Sequence, residues 1–110
     1  MSTARTYSKY TVEATRLLGQ QVKLGRKQQR WSETELAQRA GIARSTLQKI
    51  EKGDPTASLG LVFEVAALVG VRLFDADLGG LADRRASAAA LLTLLPKKTH
   101  PPKRELDDDF

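Results

Sequence analysis

The segment from Ser32 to Gly53, SETELAQRAGIARSTLQKIEKG, constrains this chain more than any other. It reads as two helices of only about two turns each, interrupted at Gly41. Helices that short are marginal in water on their own, so tertiary packing must hold both. Ser32, with Glu35 three positions on, has the spacing of a capping box. The hydroxyl accepts from the first turn, and the carboxylate reaches back. Trp31, just before the cap, is set to staple onto Leu36. The first helix is expected over 33–40, with Leu36, Ala37 and Ala40 facing inward. Gly41 stops it, since that position asks for a residue at ease with positive φ. Ile42 falls in the turn. The second helix is expected over 44–52, with Leu47, Ile50 and Ala43 inward. Ala37 has to be small, because the second helix crosses it at close range.

The flanking sequence supplies more helices to pack against this pair. Residues 1–11 are polar and read as an N-terminal arm. A first helix is expected over 12–28, with Val12, Leu18 and Val22 apolar and Arg16, Lys23, Arg26 and Lys27 on its remaining face. Ser58 is placed to cap a fourth helix over 58–69, carrying Leu59, Val62, Phe63, Ala66 and Val69 and closed by Gly70. Val71-Arg72-Leu73-Phe74-Asp75 alternates and reads as a short strand. A lone strand cannot satisfy its backbone groups, so a second copy of the chain is the expected partner for Val71, Leu73 and Phe74. Asp77-Leu78-Gly79-Gly80 reads as a turn. A fifth helix follows over 81–95, with a stripe of Leu81, Ala88, Leu91, Leu92 and Leu95. Residues 97–110 are charged and proline-containing, with the composition of a disordered tail. The expected fold is all-α, with five helices, one strand pairing across a homodimer, and that tail.

Charge and chemistry narrow the function. Residues 1–53 hold 11 basic and 4 acidic side chains, whereas 54–96 hold 3 and 5. The basic half is therefore the candidate polyanion-binding half. The chain has no cysteine and a single histidine, His100. That removes disulfides and cysteine-ligated metals, and it argues against a histidine-based catalytic dyad. Ser45 and Ser58 have no histidine near them in sequence. No apolar run approaches the roughly 20 residues that span a bilayer, and the N-terminus lacks a signal-peptide core. A cytoplasmic binding protein with no metal, no cofactor and no enzymatic activity is expected.

Two short helices turning within three residues of a glycine meet the steric requirement of a helix-turn-helix. Arg44, Ser45, Gln48, Lys49 and Lys52 are the polar set left on the second helix, where a major groove would lie. Here the chain resembles the XRE-type helix-turn-helix proteins, which share the motif with lambdoid phage repressors. The resemblance spans residues 12–70 and rests on L-A-x-x-A-G-I followed by S-T-L-x-K-I-E-x-G. It implies sequence-specific binding of double-stranded DNA. Arg44, Ser45 and Lys49 match the positions that usually read base edges, with Gln48 as a further outer-face candidate. Ser32, Thr46 and Lys52 match positions near phosphates, and Gln38 joins them. Glu33 departs from the pattern, which commonly has glutamine there; a carboxylate suits the helix dipole but repels a phosphate. Arg26 and Glu51 match a pair that the repressors bury as a salt bridge; the competing reading puts Arg26 on a phosphate. Trp31 reads as core, or alternatively as a stacking platform.

The order of the last 40 residues (strand, Ala/Leu helix, charged tail) resembles the HipB-like antitoxins. Those proteins repress their own operon and neutralise HipA-type serine/threonine kinase toxins. The resemblance implies a homodimer on a pseudo-palindromic operator in the nucleoid, with 71–96 as the dimerisation segment. It also implies a toxin-docking role for Leu106 and Phe110, set among Glu105 and Asp107–Asp109. Two alternatives stand beside it: a solubilising tail without a partner, and a stand-alone XRE-family regulator.

Overall fold

The computed structural model describes residues 5–97. The expected tail, with Leu106 and Phe110, lies outside the described residues but for Lys97. Five helices follow one another: α1 (Lys9–Gln28), α2 (Glu33–Ala40), α3 (Arg44–Glu51), α4 (Leu59–Leu68) and α5 (Leu78–Thr93). The chain divides into two compact units, the first ending at Val71 and the second beginning at Arg72.

In the first unit α2 packs on α3 and α4, and α1 packs on α3 and α4. The core consists of Val22 from α1, Leu36 and Ala37 from α2, Leu47 and Ile50 from α3, and Val62, Val65, Ala66 and Val69 from α4 and its end. All of these are aliphatic, and the inward positions read from Leu36, Ala37, Leu47 and Ile50 fill its centre. Leu59 is exposed instead of inward, and Phe63 is half-buried.

Local chemistry sets the helix ends. The Ser8 hydroxyl accepts from the Thr11 N–H at 3.2 Å. That cap starts α1 within what the sequence suggested was an arm, so Lys9–Thr11 are helical. Ser32 caps α2 by accepting from the Glu35 N–H at 3.1 Å. The reciprocal half of the capping box is replaced, because the Glu35 carboxylate takes Arg39 at 3.2 Å. Arg39 also lies over the Trp31 ring, 4.3 Å from its centre. Trp31 is half-buried under that guanidinium. Ser58 precedes α4 but makes no capping bond.

α1 through α4 all end the same way. An N–H two or three residues past the helix reaches back to a carbonyl five positions earlier: Trp31 to Arg26, Ile42 to Ala37, Asp54 to Lys49, and Val71 to Ala66. This closure needs a left-handed residue just past the end. Gly41, Gly53 and Gly70 supply it in three cases, and Arg30, at φ 62°, in the fourth. Two glycines have a further role. A Cβ at Gly19 would sit 2.6 Å from the Ile50 and Glu51 carbonyl oxygens. One at Gly53 would sit 2.5 Å from the Arg16 Cα. So α1 and the end of α3 meet backbone to backbone.

The second unit begins with a turn where the sequence suggested a strand. The Asp75 N–H donates to the Arg72 carbonyl at 3.2 Å, and Asp75 adopts φ 54°. Leu73 and Phe74 therefore lie in a reversal of the chain, and no strand occurs among the described residues. An extended 71–75 has no ladder to join within one chain, and a local hydrogen bond takes its place. Arg84 braces the turn by donating to the Phe74 carbonyl at 2.7 Å. The Asp77 carboxylate accepts from the Gly80 N–H at 2.8 Å, which caps α5 three residues earlier than expected and makes Gly79 and Gly80 helical. α5 has no buried residue; Leu91, Leu92, Leu94 and Leu95 are all exposed.

Candidate nucleic-acid interface

α3 divides lengthwise. Leu47, Ile50 and Glu51 are buried, while Arg44, Ser45 and Lys49 are exposed and Thr46 and Gln48 half-buried. The spacing explains the split, because 47, 50 and 51 recur at helical period on one stripe. Lys52, just past the helix, and Gln38 on α2 are also exposed.

Two Arg–Glu pairs position this helix, and they differ in setting. Arg26 of α1 grips Glu51 at the end of α3 through two bonds, Nε to Oε2 at 2.7 Å and Nη2 to Oε1 at 3.0 Å. Its Nη1 donates to the Trp31 carbonyl at 3.0 Å. Both side chains are buried, at 7% and 5% exposure. The bidentate geometry is the strongest form of such a pair. The hydrogen bond that Arg26 donates to Glu51 raises the Arg26 pKa and outweighs the cost of burial, so the guanidinium is held charged. These bonds engage Nε, Nη1 and Nη2 of Arg26 within the fold.

The second pair lies at the other end of α3. Arg44 Nη2 donates to Glu33 Oε1 at 3.1 Å, with the side chains 60% and 29% exposed. Gln48 Nε2 approaches the same oxygen at 3.5 Å. These two bonds, Arg44 first, pull the Glu33 carboxyl below the ordinary glutamate range. The side chain that broke the family pattern is thus bound to two of the candidate base-reading residues.

Beside this pair opens a cleft of about 480 Å³. Lys23, Arg26 and Lys27 of α1 line it together with Ser32, Thr34 and Glu33 at the start of α2, and Arg44. The helix start contributes N–H groups that have no intrahelical acceptor. Cations and helix-start donors at one cleft suit an oxyanion such as phosphate. Ser32 is therefore found in this setting, whereas Lys52 and Gln38 are not among the cleft residues. Lys23 and Lys27 carry no site assignment in the sequence reading. Their signal was present as a lysine pair four apart on α1, but ambiguous with a solvated helix face. Among the described residues no acidic or histidine cluster is arranged to hold a metal. No helix there is long and apolar enough to cross a membrane.

Residues 22–75 match the family model described as helix-turn-helix. Among solved structures, a chain from a complex of a HipB variant with an O2 20mer is similar to this one, with a TM-score of 0.50 and 25% identity. The match covers 70% of this chain and 99% of that one. No curated protein matches the chain.

Proposed function

Residues 22–75 match a helix-turn-helix family model, and we propose that the chain is an XRE-type, sequence-specific DNA-binding repressor of the HipB kind. The observation that carries this reading is α3 itself. Its packing side chains are all on one stripe, and Arg44, Ser45 and Lys49 are left to solvent beside a cationic cleft. In this reading α3 enters the major groove. Arg44 and Lys49 donate to guanine edges, and Ser45 and Gln48 read beside them. Lys23, Lys27, Ser32 and Thr46 hold phosphates, with Lys52 and Gln38 at the margins. A homodimer presents two copies of α3 to successive major grooves, about 34 Å apart on a pseudo-palindrome. The exposed leucines of α5 and the segment 71–75 supply the contact between copies. Repression follows from occupying the operator.

The finer part of the proposal is an antitoxin that binds a HipA-like kinase, through Leu106 and Phe110. The similarity to a HipB chain supports it. The alternative is a stand-alone regulator. Deleting 97–110 separates the two: loss of kinase co-purification with DNA binding intact supports the antitoxin. The DNA reading is tested by Arg44→Ala. It should cost about 1–3 kcal/mol of operator affinity and relax specificity at one base position. Unchanged affinity and specificity would refute the groove assignment.

A further inference from the structure

Glu33 occupies a place where a DNA-binding surface has an electrostatic reason to avoid a carboxylate. It lines the cationic cleft, at the start of α2, where the phosphate backbone would run in the proposed function. Yet it is bound to Arg44 at 3.1 Å and approached by Gln48 at 3.5 Å. We propose that Glu33 is a specificity-determining residue, whose carboxylate holds Arg44 and Gln48 at the start of α2 so that they meet base edges and not phosphates. This rests on the DNA-binding reading above.

The argument is one of competing partners. Any duplex, whatever its sequence, offers a long flexible arginine a row of phosphate oxygens. An unheld Arg44 gains most of its binding from them and reads little. Held by Glu33, it gives up a charge-assisted bond when it turns to a phosphate, and it leaves the carboxylate facing the anionic backbone. A guanine edge imposes neither loss. It is uncharged, and only one Arg44 nitrogen is engaged with Glu33, so other guanidinium donors remain to bond O6 and N7. Glu33 thereby lowers binding to all sequences while penalising wrong ones more. That is discrimination by a repulsive element.

The test uses the full chain, a duplex selected by the wild-type protein from a random pool, and a scrambled duplex of equal length. Affinities are measured by fluorescence anisotropy across a salt series. Glu33→Gln should tighten binding to the scrambled duplex about threefold or more, the salt-dependent worth of one phosphate contact. It should tighten the selected duplex less, so the specificity ratio falls. The salt slope on the scrambled duplex should steepen by about one. In an Arg44→Ala background the same change should leave the ratio where it was. An unchanged or higher ratio in Glu33→Gln overturns the proposal. So does an equal fall in both backgrounds, since Glu33 would then act without Arg44. A lower melting temperature with both duplexes weakened in step makes Glu33 a structural brace and also overturns it. If the wild type binds no duplex in preference to any other, the DNA reading fails, and this inference with it.

Discussion

The two units of the chain bury their apolar residues differently. The first encloses nine aliphatic side chains and closes them with a buried ion pair whose donors and acceptors are matched. The second carries four leucines in α5 and buries none of that helix. The first therefore has a core of its own, and the second leaves the leucines of α5 at its surface. Hydrophobic content does not by itself predict a core. The leucines of α5 come with alanines on most sides, whereas those of α2 and α3 pack in a unit where Gly19 and Gly25 of α1 and Gly53 after α3 let backbones approach closely.

Five substitutions would break or sharpen this contrast. The largest effect is expected from Glu51→Ala, which strands Arg26 inside the first unit. It should cost about 3–5 kcal/mol by urea denaturation, enough to unfold a marginal domain. Gly19→Ala forces a methyl onto the Ile50 and Glu51 carbonyls and should cost about 1–3 kcal/mol in the same assay. Arg30→Gly should work in the opposite direction. It relieves a left-handed non-glycine residue at the end of α1 and should raise stability by up to about 1 kcal/mol. Leu92→Lys in α5 should change the unfolding free energy by no more than about 0.5 kcal/mol, as for any exposed position. It should nonetheless weaken self-association in sedimentation if α5 is a dimer surface. A loss of folding stability comparable to that of Glu51→Ala would erase the contrast.

The smallest effect is a pH dependence. The Thr56 hydroxyl, and then its N–H, hold the Asp54 carboxyl below the usual aspartate range. A lowered folded pKa adds stability at neutral pH that is lost as pH falls through that value. The stability difference between wild type and Asp54→Asn should therefore shrink between about pH 7 and about pH 3.

The first unit was largely legible in the sequence, because its signals are local. Ser32, Gly41 and Gly53 mark helix ends through backbone chemistry that few other residues provide, and α2 begins and ends where they place it. The ends of α1 and α5 were less clear. Ser8 and Asp77 each begin a helix, but the residues after them, Lys9-Tyr10 and Leu78-Gly79-Gly80, have weak or no helical signature. The strand at 71–75 was misread for a different reason. Alternation records which side chains suit a sheet, not whether a neighbouring strand is present, and Asp75 turned the chain instead. At the candidate interface, the helical pattern and the family resemblance flagged Arg44 and Gln48 but not what they hold. The bond to Glu33 joins residues 11 and 15 positions apart, and only the crossing of α2 and α3 brings them together.

The glycine contacts have a mechanical consequence. With Gly19 and Gly53 letting α1 touch the end of α3 without intervening side chains, and Glu33 of α2 bonded to Arg44 at its start, α3 is a beam clamped at both ends. A stiff helix has little motion left to freeze on binding, so the entropic cost of docking should be small. Encounter rates on related operators would then be nearly alike. Differences in affinity among them would appear in how long the helix stays, not in how often it arrives.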